Sequence, residues 1–228
     1  CAIPDSVLAE GGAVSAADPR AAEAGREILR QGGSAADAAI AMMLALSVVE
    51  PQSSGIGGGG FMIHNDGRTN DVGTIDGRET APSSASPRLF LDAAGKPMPF
   101  IDAFAGGRSV GVPGNIALAA RASARWGKLR WPALFQPAIR LAENGYQVTP
   151  RLAEALSRLK AIWPDFPAAQ AIYWQDGRPK QVGETVRNPA LAALLRTVAK
   201  KGARAFYSGR NANAIIGATG QSKRNPTV

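Results

Sequence analysis

The stretch Gly32-Gly33-Ser34-Ala35-Ala36-Asp37-Ala38-Ala39-Ile40-Ala41 decides how the chain is read. Gly32-Gly33 supplies the left-handed stop that ends a preceding helix. Ser34-Ala35-Ala36-Asp37 opens another at once, with the Ser-x-x-acid spacing of a capping box. From Ala35 to Val49 this second helix carries one charge, in its first turn. Its apolar residues lie all round, which predicts a buried core helix whose small Ala faces let neighbours pack close. Upstream, Asp18-Pro19 reads as the N-cap and first residue of a helix reaching about Gln31. Before it, Ala13-Val14-Ser15-Ala16 reads as a short buried strand.

Downstream of Pro51 the texture changes. Ser53-Ser54-Gly55-Ile56-Gly57-Gly58-Gly59-Gly60 is a glycine-rich loop that leads into Phe61-Met62-Ile63-His64. Asn65-Asp66-Gly67 has turn chemistry, and Val72-Gly73-Thr74-Ile75 supplies a second apolar run, so a hairpin is expected. Arg78-Glu79-Thr80-Ala81-Pro82 sits just past its second strand. Residues 82–104 read as a long irregular connection, followed by Gly106-Gly107-Arg108-Ser109-Val110-Gly111-Val112-Pro113-Gly114. The remainder reads as helical over Asn115–Trp126, Trp131–Asn144, Arg151–Ile162 and Asn188–Lys200, with Gly145 and Gly202 as terminators. No internal repeat, low-complexity tract or linker divides the 228 residues, which are read as one domain.

Composition narrows the function classes. Hydrophobic residues make up 45% and charged residues 19%, which is too apolar for a disordered chain. There are 26 Lys+Arg against 18 Asp+Glu, a net charge of +8. Such an excess invites nucleic acid, anionic lipid or an acidic partner. The basic residues are nevertheless scattered, and Lys200-Lys201 is the densest run. With aromatics at 6%, no basic stripe interleaved with stacking rings is present, so nucleic acid is not expected as a partner. One Cys excludes an internal disulfide framework, and one His with one Cys argues against a zinc site. The longest apolar run, Ala38–Leu46, falls well short of the ~18 residues of a membrane span. No basic leader precedes an apolar stretch at the start, so no signal peptide is read there.

The residues taken singly give no complete catalytic set. Gly55-Ile56-Gly57-Gly58-Gly59-Gly60 matches the letters of a dinucleotide loop, but a strand must precede such a loop and a helix must follow it. Here the order is reversed, and no Gly-Lys-Ser/Thr follows. Close passage of the backbone past another segment or a ligand explains four adjacent glycines better. His64 lies between strand and turn with no nucleophile tied to it by a motif, so a surface or edge-strand role is expected. Asp71, Asp76 and Glu79 are near in sequence, yet paired carboxylates cannot be inferred from that spacing.

As a set, however, the motifs resemble gamma-glutamyltransferases. The resemblance rests on Gly32–Ala41, on Gly55-Ile56-Gly57-Gly58-Gly59-Gly60-Phe61-Met62, on Arg78-Glu79-Thr80-Ala81-Pro82 and on Gly107–Gly114. It continues through Trp126-Gly127-Lys128-Leu129-Arg130-Trp131, Pro137–Gly145 and Gly202–Gly209. It thus covers about residues 11–209 in consistent order, with 1–10 read as a tail and 210–228 matching poorly. The resemblance implies an α+β fold, the αββα sandwich of the N-terminal-nucleophile hydrolases, contributed jointly with a small subunit cut from the same precursor. It also implies the chemistry. An N-terminal Thr of that small subunit attacks a gamma-glutamyl amide such as glutathione, and the acyl group passes to water or an amino acid. The free amine of such a Thr can act as its own base, so no cofactor or metal is implied.

Within this chain the resemblance assigns no catalytic residue and one substrate-binding residue, Arg78, which would hold the alpha-carboxylate of the gamma-glutamyl group. A planar guanidinium offers paired donors that fit a carboxylate. Without the resemblance, an ion pair with a neighbouring carboxylate is the simpler reading. Neither the Thr-led start of the small subunit nor the downstream Gly-Gly region is contained in these residues, and Thr227 is internal. The chain is therefore expected to be inactive alone. A glutaryl- or cephalosporin-type amidase of the same superfamily is the nearest alternative, and a non-catalytic basic binding module is the alternative of another class. Cys1 precedes the resemblance. A free N-terminal Cys could itself be a nucleophile, but a lipidated Cys or an accidental chain start is preferred. Membrane association is expected only through a lipidated Cys1, in a periplasmic or extracellular setting implied by the resemblance.

Overall fold

In a computed structural model of the chain, residues 12–222 are described. Cys1, and the expectations attached to it, lie outside them. The helices are α1 (Pro19–Arg30), α2 (Ala35–Val49), α3 (Phe100–Phe104), α4 (Asn115–Trp126), α5 (Trp131–Leu134) and α6 (Gln136–Asn144). They continue with α7 (Pro150–Arg158), α8 (Pro167–Tyr173), α9 (Pro189–Lys201), α10 (Arg204–Tyr207) and α11 (Gly209–Gly220). Strands β1 (Gly60–Asp66) and β2 (Asp71–Gly77) form a hairpin. The short strands β3 (Tyr146–Gln147), β4 (Trp174–Gln175), β5 (Arg178–Pro179) and β6 (Thr185–Val186) pair as β3–β6 and β4–β5, all antiparallel.

The helical signals at the start act as expected. The Asp18 carboxylate accepts the Arg20 N–H at 2.9 Å, and Pro19 takes the position where a missing N–H costs nothing. Gly32, at φ +82°, ends α1, and the Gly33 N–H returns to the Ile28 carbonyl. Ser34 and Asp37 form the reciprocal capping box of α2. Asp37 is fully buried and does more than cap. Its Oδ2 also accepts the N–H groups of Lys128 and Leu129, at 2.8 and 3.1 Å, which fastens the α4–α5 link to the start of α2. Helix α2 is the hub, with Ile40, Ala41, Leu44 and Ala45 fully buried among α1, α4 and α6. Helix α9 packs on α6 from the far side, and Phe135, Leu195 and Phe206 complete the same core.

The hairpin pairs Gly60 with Gly77, Met62 with Ile75 and His64 with Gly73. Alternate residues therefore face opposite ways. On one face Ile75 is buried, the Trp126 indole of α4 stacks on His64 with centroids 4.5 Å apart, and Leu118 of α4 lies against Gly77. The other face carries Phe61, Ile63 and Val72, which are 68%, 75% and 66% exposed.

Several expectations are corrected. Ala13–Ala16 is not a strand, because no described strand offers it an edge, and Ala13 and Ser15 are exposed. The helix expected over Trp131–Asn144 breaks into α5 and α6 at Phe135, since Pro137 has no N–H to continue the ladder. The helix expected to reach Ile162 stops at Arg158 and is followed by turns and a 3₁₀ turn at Trp163–Asp165. Asn188 is the N-cap of α9, its Oδ1 accepting the Leu191 N–H, rather than a helical residue. The irregular 82–104 connection contains α3 and a β-bridge between Leu91 and Pro97. The described residues form an α+β fold; their three two-stranded sheets are fewer strands than a four-layer sandwich requires. Among them, no helix is long and apolar enough to cross a membrane.

Candidate functional site

Three chain segments meet where the glycine-rich loop enters β1. The N–H groups of Gly114 and Asn115, at the start of α4, both donate to the Gly58 carbonyl, and the Asn115 amide donates to the Gly55 carbonyl at 2.7 Å. A Cβ on Gly59 would lie 2.5 Å from the Gly77 carbonyl oxygen, and one on Gly114 would lie 1.9 Å from the same atom. Neither position admits a side chain. The glycines let loop, strand end and helix start close on one another, as the close-approach reading expects.

This junction sets the direction of Arg78, the first residue after β2. Its N–H donates to the Asp76 carboxylate at 2.9 Å, and two residues on Thr80 bridges to Val112. The Arg78 side chain is 70% exposed, with Nε 3.6 Å from Glu79 Oε2. Glu79 itself lies over the loop, close enough that a Cβ on Gly58 would sit 3.3 Å from its Oε1. Arg78 and Glu79 line a concave surface of about 480 Å³ together with Gly57, and its far walls come from Leu89, Phe90 and Arg108. An exposed ion pair is worth ~0–1 kcal/mol. A bound carboxylate can therefore compete for this guanidinium at little cost.

The gamma-glutamyltranspeptidase family model matches residues 21–223. The chain belongs to the gamma-glutamyltranspeptidase family. It is 40% identical over 208 residues to the glutathione hydrolase proenzyme of Bacillus subtilis, covering 91% of this chain and 35% of that protein. Its fold superposes on the gamma-glutamyltranspeptidase of Helicobacter pylori with a TM-score of 0.88 at 32% identity, over 92% of this chain and 60% of that one. A cephalosporin acylase of Bacillus halodurans also matches, with a TM-score of 0.74 at 32% identity, over 90% of this chain and 39% of that one. The chain thus spans about a third of the length of the curated B. subtilis relative.

In this transpeptidase-family chain the structure separates the residues that sequence spacing left side by side. Arg78 and Glu79 share the concave surface. Asp76 serves the Arg78 backbone, and Asp71 stands at the turn end of the hairpin opposite Asp66. His64 pairs with Gly73, four residues along β1 from Gly60, and its ring is taken up by Trp126, so it is a packing residue. Glu79, weighed from the sequence only as a member of a carboxylate pair, is a wall of this surface. Arg108 was missed by sequence reasoning; it stood inside Gly107–Gly114, a motif quoted without a role for it. Among the described residues, no group of three His, Cys, Asp or Glu could hold a metal ion.

Proposed function

We propose that this chain is the large-subunit portion of a gamma-glutamyl transferase/hydrolase, with Arg78 holding the substrate's alpha-carboxylate. The observation that carries the reading is the Arg78 guanidinium. It stands exposed over a concave surface, at the end of a strand locked by the Gly59–Gly77–Gly114 junction. A rigid base matters because a carboxylate clamp works by holding the scissile amide in place, and small misplacements cost rate steeply. The nucleophile is then the N-terminal Thr of a small subunit released from the same precursor, which forms the acyl-enzyme and returns the acyl group to water or an amino acid. The name proenzyme borne by the B. subtilis relative supports a precursor that is cut.

The open face of the hairpin supports a shared fold. Phe61, Ile63 and Val72 form an apolar surface on the side of the sheet away from α4, where a second sheet would sit in a sandwich. A large part of the H. pylori protein's length has no counterpart in this chain, which leaves ample chain to cover it. The similarity to the B. halodurans cephalosporin acylase favours a second reading, in which the same scaffold takes a glutaryl-type acyl group.

The complete processed protein, assayed on a gamma-glutamyl anilide and a glutaryl anilide, separates the two. A glutaryl group lacks the alpha-amine of glutamate but keeps a terminal carboxylate, so Arg78 serves either. Arg78→Ala is expected to lower kcat/KM on the preferred anilide by ~1.5–3 kcal/mol, roughly 10- to 150-fold. An unchanged kcat/KM would remove Arg78 from the site. Hydrolysis of neither anilide would count against both enzyme readings.

A further inference from the structure

We propose that Arg108 is a positioning residue that holds residues 86–98 against the Arg78 pocket and so limits the bulk of the group the site admits. The proposal rests on the reading above for the nature of the substrate. Its mechanical half stands on geometry alone.

Arg108 projects from a firm base. It sits in a 3₁₀ turn, Gly107–Ser109, where Gly107 is buried and the Ser109 hydroxyl lies 2.6 Å from the Phe104 carbonyl oxygen and 3.0 Å from that of Gly106. Just beyond, Val112 is bonded in both directions to Thr80, and a Cβ on Gly111 would lie 2.9 Å from Glu79 Cβ. The turn is thereby pressed onto the segment that carries Arg78. Residues 82–99 are held differently, since none of them is buried. They fold on themselves as a narrow finger, with the Asp92 N–H on the Lys96 carbonyl and the Met98 N–H on the Phe90 carbonyl. Segments held by such exposed backbone bonds open at low cost.

Arg108 spans the gap between base and finger. Its Nη1 donates to the Leu89 carbonyl at 3.4 Å and lies 4.0 Å from the Met98 sulfur, so it touches both limbs of the finger. The same side chain lines the 480 Å³ pocket around Arg78 and a neighbouring cavity of about 290 Å³ bounded by Pro82, Ser86 and Leu89. It is a wall shared by the two. Shortening it removes the strut and opens one cavity into the other.

The test uses the complete processed protein and two readouts. In the first, limited trypsin cleavage after Arg88, an exposed residue of the finger, is followed by fragment mass. Arg108→Ala is expected to speed this cleavage about 2- to 12-fold, the factor carried by one net hydrogen bond, and Arg108→Lys, which keeps a donor, to restore part of the protection. In the second, kcat/KM is compared for two gamma-glutamyl amides of the same leaving amine, a compact one with a free alpha-amine and a bulky one whose alpha-amine, beside the carboxylate that Arg78 holds, carries a large substituent. Arg108→Ala is expected to shift the ratio toward the bulky amide, chiefly through its KM, which a purely structural defect would not do. Unchanged cleavage after Arg88 overturns the strut, whether or not the protein hydrolyses gamma-glutamyl amides. Faster cleavage with an unmoved bulky-to-compact ratio overturns the control of substrate size. Failure of the unaltered protein on both amides strikes at the enzymatic reading and, with it, at the size control, while the cleavage comparison still decides the strut.

Discussion

The two faces of the β1–β2 hairpin come from the same fourteen or so residues, yet one is finished and the other is not. On the finished side every apolar residue has found a neighbour within the chain. Trp126 covers His64 and Gly73, Leu118 meets Gly77, and behind them α4 rests on the α2 hub. On the open side Phe61, Ile63 and Val72 stand about two-thirds to three-quarters exposed, and the Arg78 pocket lies at the same end of the hairpin as Phe61. Burying such side chains is worth ~1.5–3 kcal/mol each, so a sequence that leaves three of them uncovered on one face forgoes a sizeable stabilisation. The contrast teaches that the helical side supplies the chain's stability, while the open side adds little packing of its own.

The strongest way to break the comparison is to strike the finished side at Asp37. Its buried carboxylate takes the N–H groups of Ser34, Lys128 and Leu129 and caps α2. Asp37→Ala strands three donors and leaves only the Ser34 half of the capping box, for an expected loss of about 3 kcal/mol or more in thermal or denaturant unfolding of the complete protein. Asp37→Asn keeps one acceptor oxygen and should lose less. An alanine variant as stable as the parent would show that the hub does not depend on this group.

The next effect sharpens the open side. Within this chain, Phe61→Ser or Ile63→Ser deletes almost no packing, and substitutions at such positions usually stay within about 0.5 kcal/mol. In the complete protein, if another layer covers the face, each change is expected to cost about 1.5–3 kcal/mol. Calorimetry of the complete protein, with Thr74→Ala of the same face as a mild control, reads the difference. A melting temperature unmoved by both serines would mean that the face meets only water.

How much of this was legible from the sequence depended on the range of the forces involved. Elements fixed by local chemistry read well: the Asp18-Pro19 start, the Gly32 stop, the Ser34–Asp37 box and the hairpin all depend on residues a few positions apart. Elements fixed by distant contacts did not. Ala13–Ala16 has strand composition but no partner edge, and β3 depends on β6 some forty residues away. The close-approach reading of the glycine loop was right in kind, but its partners Gly77 and Gly114 were not foreseeable from the loop itself. At the candidate site, bare chemistry left Arg78 as an ion-pairing residue, and the family resemblance gave it a substrate role. The 3.6 Å pair with Glu79 shows why local reasoning stalls there, since both readings begin from the same neighbour. The Arg108 strut was invisible because its acceptor, the Leu89 carbonyl, is a backbone atom that no motif marks.

The smallest effect is confined to the finished side and depends on acid. Asp18 is 2% exposed and is gripped by Arg20 through Nε at 2.8 Å and through the backbone N–H at 2.9 Å. Arg20 in turn donates to the Gln147 carbonyl and lies over the Tyr146 ring, so the pair ties α1 to β3. Burial pushes the Asp18 carboxyl upward, but the hydrogen bonds and charge of Arg20 outweigh it and hold the group below its ordinary value of 3.8. A carboxyl lowered on folding contributes stability that is complete above the unfolded value and is lost as the pH falls through the folded one. Stability measured against pH should therefore show an Asp18 contribution that is constant above the ordinary value of 3.8 and fades below it. Other carboxylates titrate in the same range, among them Glu184, which the Arg178 guanidinium holds down at about 2. The informative quantity is accordingly the difference between the parent and Asp18→Asn. That difference should shrink on acidification through this window, whereas the difference between the parent and Phe61→Ser, which involves no titrating group, should follow no such curve. A parallel pH dependence of the two would erase the distinction between a side held by its own ion pairs and a side that is not.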